Sequence, residues 1–269
     1  MKYKLLAFDI DGTLTNSEKI ITDATKEAIF KAMDAGATVA IATGRPVCGA
    51  VRYAGELRLK ENNGYIMSLN GGIIVRCSDD KVISRSLIPH EYYEEIYRLA
   101  AENDVNIMTY DGDTVVSEVI DDPYLSEEAR LNGLDKKQVD NLLDYLDYDV
   151  PKFLMLGDGD RLAQVEKNVY AKLHDRLDVY RSEPYFLEIL PKNVNKASGL
   201  EKLALETGAE RNEIMAFGDG FNDISMIEYA GTGVAMGNAN GKARKKADIV
   251  APTNDEDGIA WVINKFVLD

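Results

Sequence analysis

The chain has 269 residues, 45% of them hydrophobic and 29% charged, which suits one large domain or a core with a second module and excludes a disordered chain. With 31 Lys plus Arg against 46 Asp plus Glu, the net charge of −15 opposes a general nucleic-acid or anionic-membrane binder and leaves room only for a local basic pocket. Cys48 and Cys77 are too few for a disulfide framework, no basic-then-apolar leader opens the chain, and no apolar run approaches the roughly 20 residues of a membrane span, so a cytoplasmic location is expected.

The first strand is read over 3–8, an apolar run that ends in Asp9-Ile10-Asp11-Gly12-Thr13. Side chains two apart on an extended chain share a face, so Asp9 and Asp11 are placed to converge; a capped turn is the plainer reading of the same residues. Thr22 can cap a helix over 22–35 with Ala28, Ile29, Ala32 and Met33 on one face and Gly36 beyond its end. A strand over 38–42 runs into Thr43-Gly44-Arg45-Pro46, with Pro46 suited to the first turn of the next helix. A third strand over 65–69 ends in Asn70-Gly71-Gly72. This alternation implies a parallel sheet with helices on both faces.

The rhythm then changes. Residues 73–76 and 82–84 read as a hairpin, 91–102 as an amphipathic helix, 105–110 and 114–119 as strands joined by Asp111-Gly112-Asp113. Further strands at 153–156, 179–180 and 186–189, with a helix over 161–173, complete an α+β module; Asp158-Gly159-Asp160 reads as the turn before that helix. After Pro191 the alternation resumes with a helix from Lys196 closed by Gly208. A strand over 214–217 runs into Gly218-Asp219-Gly220-Phe221-Asn222-Asp223, strands follow near 232–236 and 248–250, and a last helix carries Trp261. The expected fold is therefore α/β: a Rossmann-like doubly wound parallel-sheet core, 1–86 and 190–269, interrupted by an inserted α+β cap domain, 87–189.

Strand ends of the core thus collect Asp9 and Asp11, Thr43, Asn70, and Asp219 with Asn222 and Asp223, while Lys196 opens a helix. Clustered carboxylates need a cation. Oxygen ligands without His or Cys suit a hard ion, and Mg²⁺ favours one or two carboxylates, waters and a substrate phosphate. A calcium loop is excluded, because the twelfth residue from Asp9 is Ile20 and from Asp219 is Ala230, neither of them the required Glu. His90 and His174 have no neighbour at ligand spacing, which opposes zinc and Ser-His chemistry, and Cys48 reads as a small buried thiol. A carboxylate such as Asp9 can attack phosphorus and form an aspartyl-phosphate, with Asp11 giving a proton to the leaving alkoxide and taking one from water. Lys196, Thr43 and Asn222 would offset or bind phosphoryl charge. Taken singly, each of these three also has a plain reading: a solvated charge, a helix-start residue and a turn former.

Asp9-Ile10-Asp11-Gly12-Thr13, Ala42-Thr43-Gly44-Arg45, Asn195-Lys196 with Gly199, and Gly218 to Asp223 resemble, in order, the four motifs of the haloacid dehalogenase-like (HAD) phosphohydrolases. Asn70-Gly71-Gly72 and the insertion are similar to the Cof-type subfamily (subclass IIB), and Tyr185 to Leu190 with Ile227 to Gly231 resemble its bacterial sugar-phosphatase branch. The resemblance implies that Asp9 is nucleophile and metal ligand, and that Asp11 is acid/base and ligates through its backbone carbonyl. It also implies Asp219 as third protein ligand and Asp223 as the residue that orients ligands and waters. Thr43, Gly44, Lys196 and Asn222 would hold the phosphoryl group, and Arg45, Asn70 and Gly71 are candidates to contact substrate. Arg45 could equally form an ion pair within the core. The implied activity is a Mg²⁺-dependent phosphatase of small phosphorylated metabolites, most plausibly sugar phosphates. A phosphomutase using the same intermediate is the nearest rival, and a receiver-like phosphate-sensing regulator is a rival of another class; the oligomeric state is left open.

Overall fold

A computed structural model describes residues 2–268. They form two compact units, one running up to Arg85 and resuming at Asn195, the other Ser86–Val194. In chain order the first unit opens with β1 (Leu5–Phe8), α1 (Asp23–Asp34), β2 (Thr38–Ala42), α2 (Val47–Glu56), β3 (Tyr65–Ser68), β4 (Ile73–Arg76) and β5 (Lys81–Arg85). Thr22 caps α1 by accepting from the Thr25 N–H, as its position implies. Pro46, expected inside α2, stands at its N-cap instead.

The second unit contains α3 (Tyr93–Glu102), β6 (Asn106–Asp111), β7 (Thr114–Ser117), α4 (Pro123–Asn132), β8 (Asp135–Gln138), α5 (Leu142–Tyr145), β9 (Phe153–Leu156), α6 (Gly159–Leu173), β10 (Leu177–Glu183) and β11 (Phe186–Pro191). Its six-stranded sheet has the order β10-β11-β9-β6-β7-β8. Ile107, Phe153, Met155, Leu187 and Ile189 alternate onto the face that α3 and α6 cover. Asp158 does cap α6. β11 extends past Ile189, where the sequence reading ends the insert, so the unit closes at Val194.

The first unit resumes with α7 (Lys196–Thr207), β12 (Ile214–Gly218), α8 (Ile224–Tyr229), β13 (Thr232–Ala235), α9 (Gly241–Lys246), β14 (Ile249–Val250) and α10 (Gly258–Phe266). Its eight-stranded sheet runs β14-β13-β12-β1-β2-β3-β4-β5. The strands from β14 to β3 are parallel, whereas β4 and β5 are antiparallel, so the expected parallel sheet carries a hairpin on one edge. Successive residues of the central strands point to opposite faces and both faces are buried. Leu6, Phe8, Val39, Ile41, Met215 and Phe217 meet the α1, α2 and α10 side, while Ala7, Ala40, Ala42 and Ala216 meet α7 and α8. Small residues on the second face let α7 approach the sheet.

That approach is tightest at two glycines. A Cβ on Gly71, whose φ is +94°, would lie 2.6 Å from the Asn195 carbonyl oxygen, and one on Gly199 would lie 2.6 Å from Gly71 Cα and run into Met67 Sδ. Packing of α7 thus explains Gly71, a residue that the sequence reading offers as a substrate contact. Gly199→Ala is expected to cost about 1–3 kcal/mol through overpacking and to displace the helix that begins at Lys196. Urea denaturation measures the loss, and an unchanged midpoint would show that the helix has room to spare.

Candidate active site

Strand order reverses about the centre of the first unit's sheet. From β1 the chain moves to β2 and β3 on one side, and after α7 it returns to β12 on the other, so β1 and β12 are neighbours at a topological switch point. Asp9 follows β1 and Asp219 follows β12. The Asp9 N–H continues the ladder onto the Phe217 carbonyl at 3.0 Å, which fixes the two loops to one another. Gly12 turns the first loop at φ +80°, and a Cβ there would sit 2.5 Å from Asp219 Oδ2.

Lys196, the first residue of α7, has no exposed side-chain surface and donates to Asp9 Oδ1 at 2.6 Å and to Asp223 Oδ1. The other Asp223 oxygen accepts the N–H groups of Asp219 (2.9 Å) and Gly220 (2.8 Å), so this carboxylate ties β12's loop to α7. Asp219 Oδ1 accepts from the Thr13 hydroxyl at 2.7 Å. One carboxylate oxygen from each of Asp9, Asp219 and Asp223 lies within 4.8 Å of the others.

Electrostatics in this cluster are unbalanced. Burial and the facing Asp223 carboxylate push the Asp9 carboxyl up to about 8, against the pull of Lys196. Burial likewise raises Asp219 to about 6, opposed by the Thr13 hydrogen bond. Burial also opposes the charge on Lys196, but Asp223 and Asp9 outweigh it and hold the ammonium above its ordinary range. The ammonium stays charged, and Asp9 is driven toward its protonated form. Three carboxylates thus face one ammonium.

A second group gathers at the ends of β2, β3 and β12. Asn222 donates to Asn70 Oδ1 at 3.0 Å, and a Cβ on Gly44 would lie 3.3 Å from the same oxygen and 3.7 Å from the Asn222 amide nitrogen. Thr43 is buried beside them, its hydroxyl oxygen accepting the Arg45 N–H and its carbonyl the Asn70 N–H. Asn70 holds φ +54°, with Leu69 at +50° and Gly71 at +94°, so the turn after β3 keeps two non-glycine residues in the left-handed region.

Asp11 is placed differently from the expectation that it holds a proton part of the time. Arg45 grips it bidentately, Nε to Oδ2 and Nη2 to Oδ1, both at 2.8 Å, and Lys19 adds a 2.8 Å contact. Burial pushes its carboxyl up, but these hydrogen bonds outweigh it and hold Asp11 below the ordinary carboxylate range. Arg45 therefore forms the core ion pair. Thr13 and Lys19 take part in this geometry although their sequence context gives them no role; only Thr13 stood within a motif.

The profile of the haloacid dehalogenase-like hydrolase family matches residues 6–263. Over 265 residues the chain is 31% identical to the 5-amino-6-(5-phospho-D-ribitylamino)uracil phosphatase YcsE of Bacillus subtilis, covering 98% of this chain and 96% of that one. A solved haloacid dehalogenase-like hydrolase from Bacteroides thetaiotaomicron superposes with a TM-score of 0.92 at 41% identity over 98% of this chain and 99% of its own. A HAD subclass IIB sugar phosphatase, BT4131, superposes at 0.80 with 26% identity over 99% and 100%. Among the described residues no helix is long and apolar enough to cross a membrane.

Proposed function

Because the chain belongs to the haloacid dehalogenase-like hydrolases, we propose that it is a Mg²⁺-dependent phosphatase that cleaves small phosphomonoesters, sugar phosphates foremost, through an aspartyl-phosphate on Asp9. The observation that carries this reading is the Asp9 carboxylate held at 2.6 Å by a buried ammonium, beside two further carboxylates, at the switch point of the sheet.

The donor set fits a hard divalent cation: it is all oxygen, it is rich in carboxylates, and burial together with Asp223 leaves Asp9 and Asp219 reluctant to ionise without one. Asp9 and Asp219, with the Asp11 carbonyl, would hold it, since both oxygens of Asp223 already accept hydrogen bonds. When bound, Mg²⁺ would keep Asp9 ionised and offset phosphoryl charge. The chain's own residues do the rest. A carboxylate oxygen of Asp9 bonds to phosphorus as the bond to the substrate's ester oxygen breaks. Lys196, the Thr43 hydroxyl and the Asn222 amide receive the phosphoryl oxygens, with Gly44 leaving space where a side chain would press on Asn70. Asp11, which must first take up a proton from solvent, gives it to the leaving alkoxide and takes one from the water that hydrolyses the acyl phosphate. That exchange requires the substrate to loosen the grip of Arg45 and Lys19 on Asp11.

Asp11→Asn is accordingly expected to slow sugar-phosphate cleavage far more than cleavage of nitrophenyl phosphate, whose leaving group needs little protonation. Steady-state rates on both esters measure the ratio, and equal losses would move Asp11 from proton transfer to positioning.

For substrate, the sugar phosphatase and the ribitylaminouracil phosphatase named above share one chemistry in their names, a phosphate on a polyhydroxylated carbon skeleton. The Ser86–Val194 unit is proposed to make the selection. None of the candidate catalytic residues lies in that unit, which leaves its side chains free to serve selection. Phosphate release across a panel of sugar, polyol and ribityl phosphates tests the substrate class. Isomerised sugar phosphate without released phosphate would favour a phosphomutase, and a phosphoenzyme that persists for hours without turnover would favour a regulator.

A further inference from the structure

The loop after β13, residues 237–240, touches both acid-bearing loops through two asparagines that no motif includes. Asn240 donates twice to the Asp219 carbonyl, from its amide side chain at 2.8 Å and its backbone N–H at 3.1 Å. Its side-chain oxygen accepts the N–H groups of Lys242 and Ala243, both at 3.0 Å, so the side chain is locked at both ends. Asn238, more exposed, donates to the Gly12 carbonyl at 2.8 Å and accepts the Asn254 N–H at 3.1 Å. Asn254 in turn donates to the Thr15 carbonyl at 2.9 Å. The loop itself is anchored, because the Gly237 N–H bonds to the Pro252 carbonyl and a Cβ on Gly237 would meet the Thr253 nitrogen at 2.9 Å.

These contacts reach carbonyls, not carboxylates. They hold the backbone of Gly12 and Asp219 and leave the Asp219 carboxylate to Thr13 and the site. The two acid loops are separately fixed by β1 and β12, but each extends beyond the last ladder bond, and Gly12 meets Asp219 with no space for a Cβ. We propose that Asn240, assisted by Asn238, is a positioning residue that sets the spacing of the Asp9–Gly12 and Asp219–Asp223 loops and thereby the affinity of the site for a divalent cation. The inference rests on the cation reading above.

The test is Mg²⁺ binding by isothermal titration calorimetry, together with the rise in melting temperature that Mg²⁺ gives, for wild type, Asn240→Ser and Asn238→Ala. Serine still caps α9 but is too short to reach the Asp219 carbonyl. Thr22→Ala serves as a control that removes a helix cap and a bond to Asp257 without touching either acid-bearing loop. Partners behind metal ligands typically contribute 10–100-fold to affinity, so Asn240→Ser is expected to bind Mg²⁺ about 10-fold more weakly or worse, and Asn238→Ala less so. Thr22→Ala should melt earlier with its Mg²⁺ affinity intact. Wild type that binds no Mg²⁺ would remove the cation reading itself. Wild type that binds while folded Asn240→Ser binds equally well would overturn the clamp, and if Asn240→Ser fails to fold, wild-type affinity in Asn238→Ala overturns it instead.

Discussion

Replacing Asp9 by Asn is expected to lower phosphomonoester turnover by about 10⁴-fold or more, because an amide cannot supply the attacking oxygen and residues that act as a unit fail together. The fold should not suffer. Burial and Asp223 already push Asp9 toward its neutral form, so an uncharged side chain of the same shape relieves repulsion, and Lys196 keeps Asp223 as partner. The same shift gives a sign for pH. The folded carboxyl sits near 8 and an unfolded Asp near about 3.9, so between those values the metal-free folded state binds more protons and its stability falls as pH rises. Melting temperatures of metal-free wild type and Asp9→Asn across that window should therefore diverge, with the variant lacking this part of the decline. Near-wild-type turnover in Asp9→Asn would remove Asp9 from the nucleophile's place.

Lys196→Met carries the largest expected cost in stability. The side chain is fully buried between two carboxylates, and an isosteric apolar replacement leaves both facing one another without a counter-charge. Breaking a buried ion pair by removing one partner typically costs about 3–5 kcal/mol, against about 0–1 kcal/mol for an exposed pair. Above about pH 8, where the wild-type Asp9 is ionised, Asp9→Asn made first should reduce that cost, since one of the orphaned carboxylates is then neutral, and the difference between the two backgrounds is the coupling between the two residues. Urea denaturation of the four proteins, in the absence of Mg²⁺, measures it. A loss within the range of an exposed pair would show that water or rearrangement replaces the ammonium, and the cluster would not be the rigid unit described here.

The parts of this arrangement that could be read from sequence are those in which burial and local conformation act on the residue itself. Leu5–Phe8, Thr38–Ala42 and Ile214–Gly218 are apolar because both sheet faces are covered, and Asp9, Thr43 and Asp219 follow them because the strands stop there. Thr22, Gly36 and Gly208 marked helix ends through their own capping or backbone preference. β8, with four exposed residues, Asp135 to Gln138, has no alternation to betray it, and α4 before it went unread although Asp122 caps it, Pro123 opens it and Gly133 closes it. The hold of Arg45 on Asp11 was one of two readings of Arg45, because an ion pair across 34 residues leaves no local trace. Asn240 and Asn238 were illegible for a related reason: an amide that meets a carbonyl 21 or 226 residues away follows no period, and a GNAN stretch reads simply as a turn.

On this mechanism the phosphoryl group passes through Asp9. Rapid mixing of enzyme with a sugar phosphate and Mg²⁺, acid quench within the first turnover, and mass spectrometry of the peptide carrying Asp9 test it most directly. A phosphoryl group on Asp9 that appears before steady state, decays as inorganic phosphate accumulates and is absent from Asp9→Asn is the expected result. Phosphate release in the same samples with no phosphoryl group on Asp9 at any time would contradict the account.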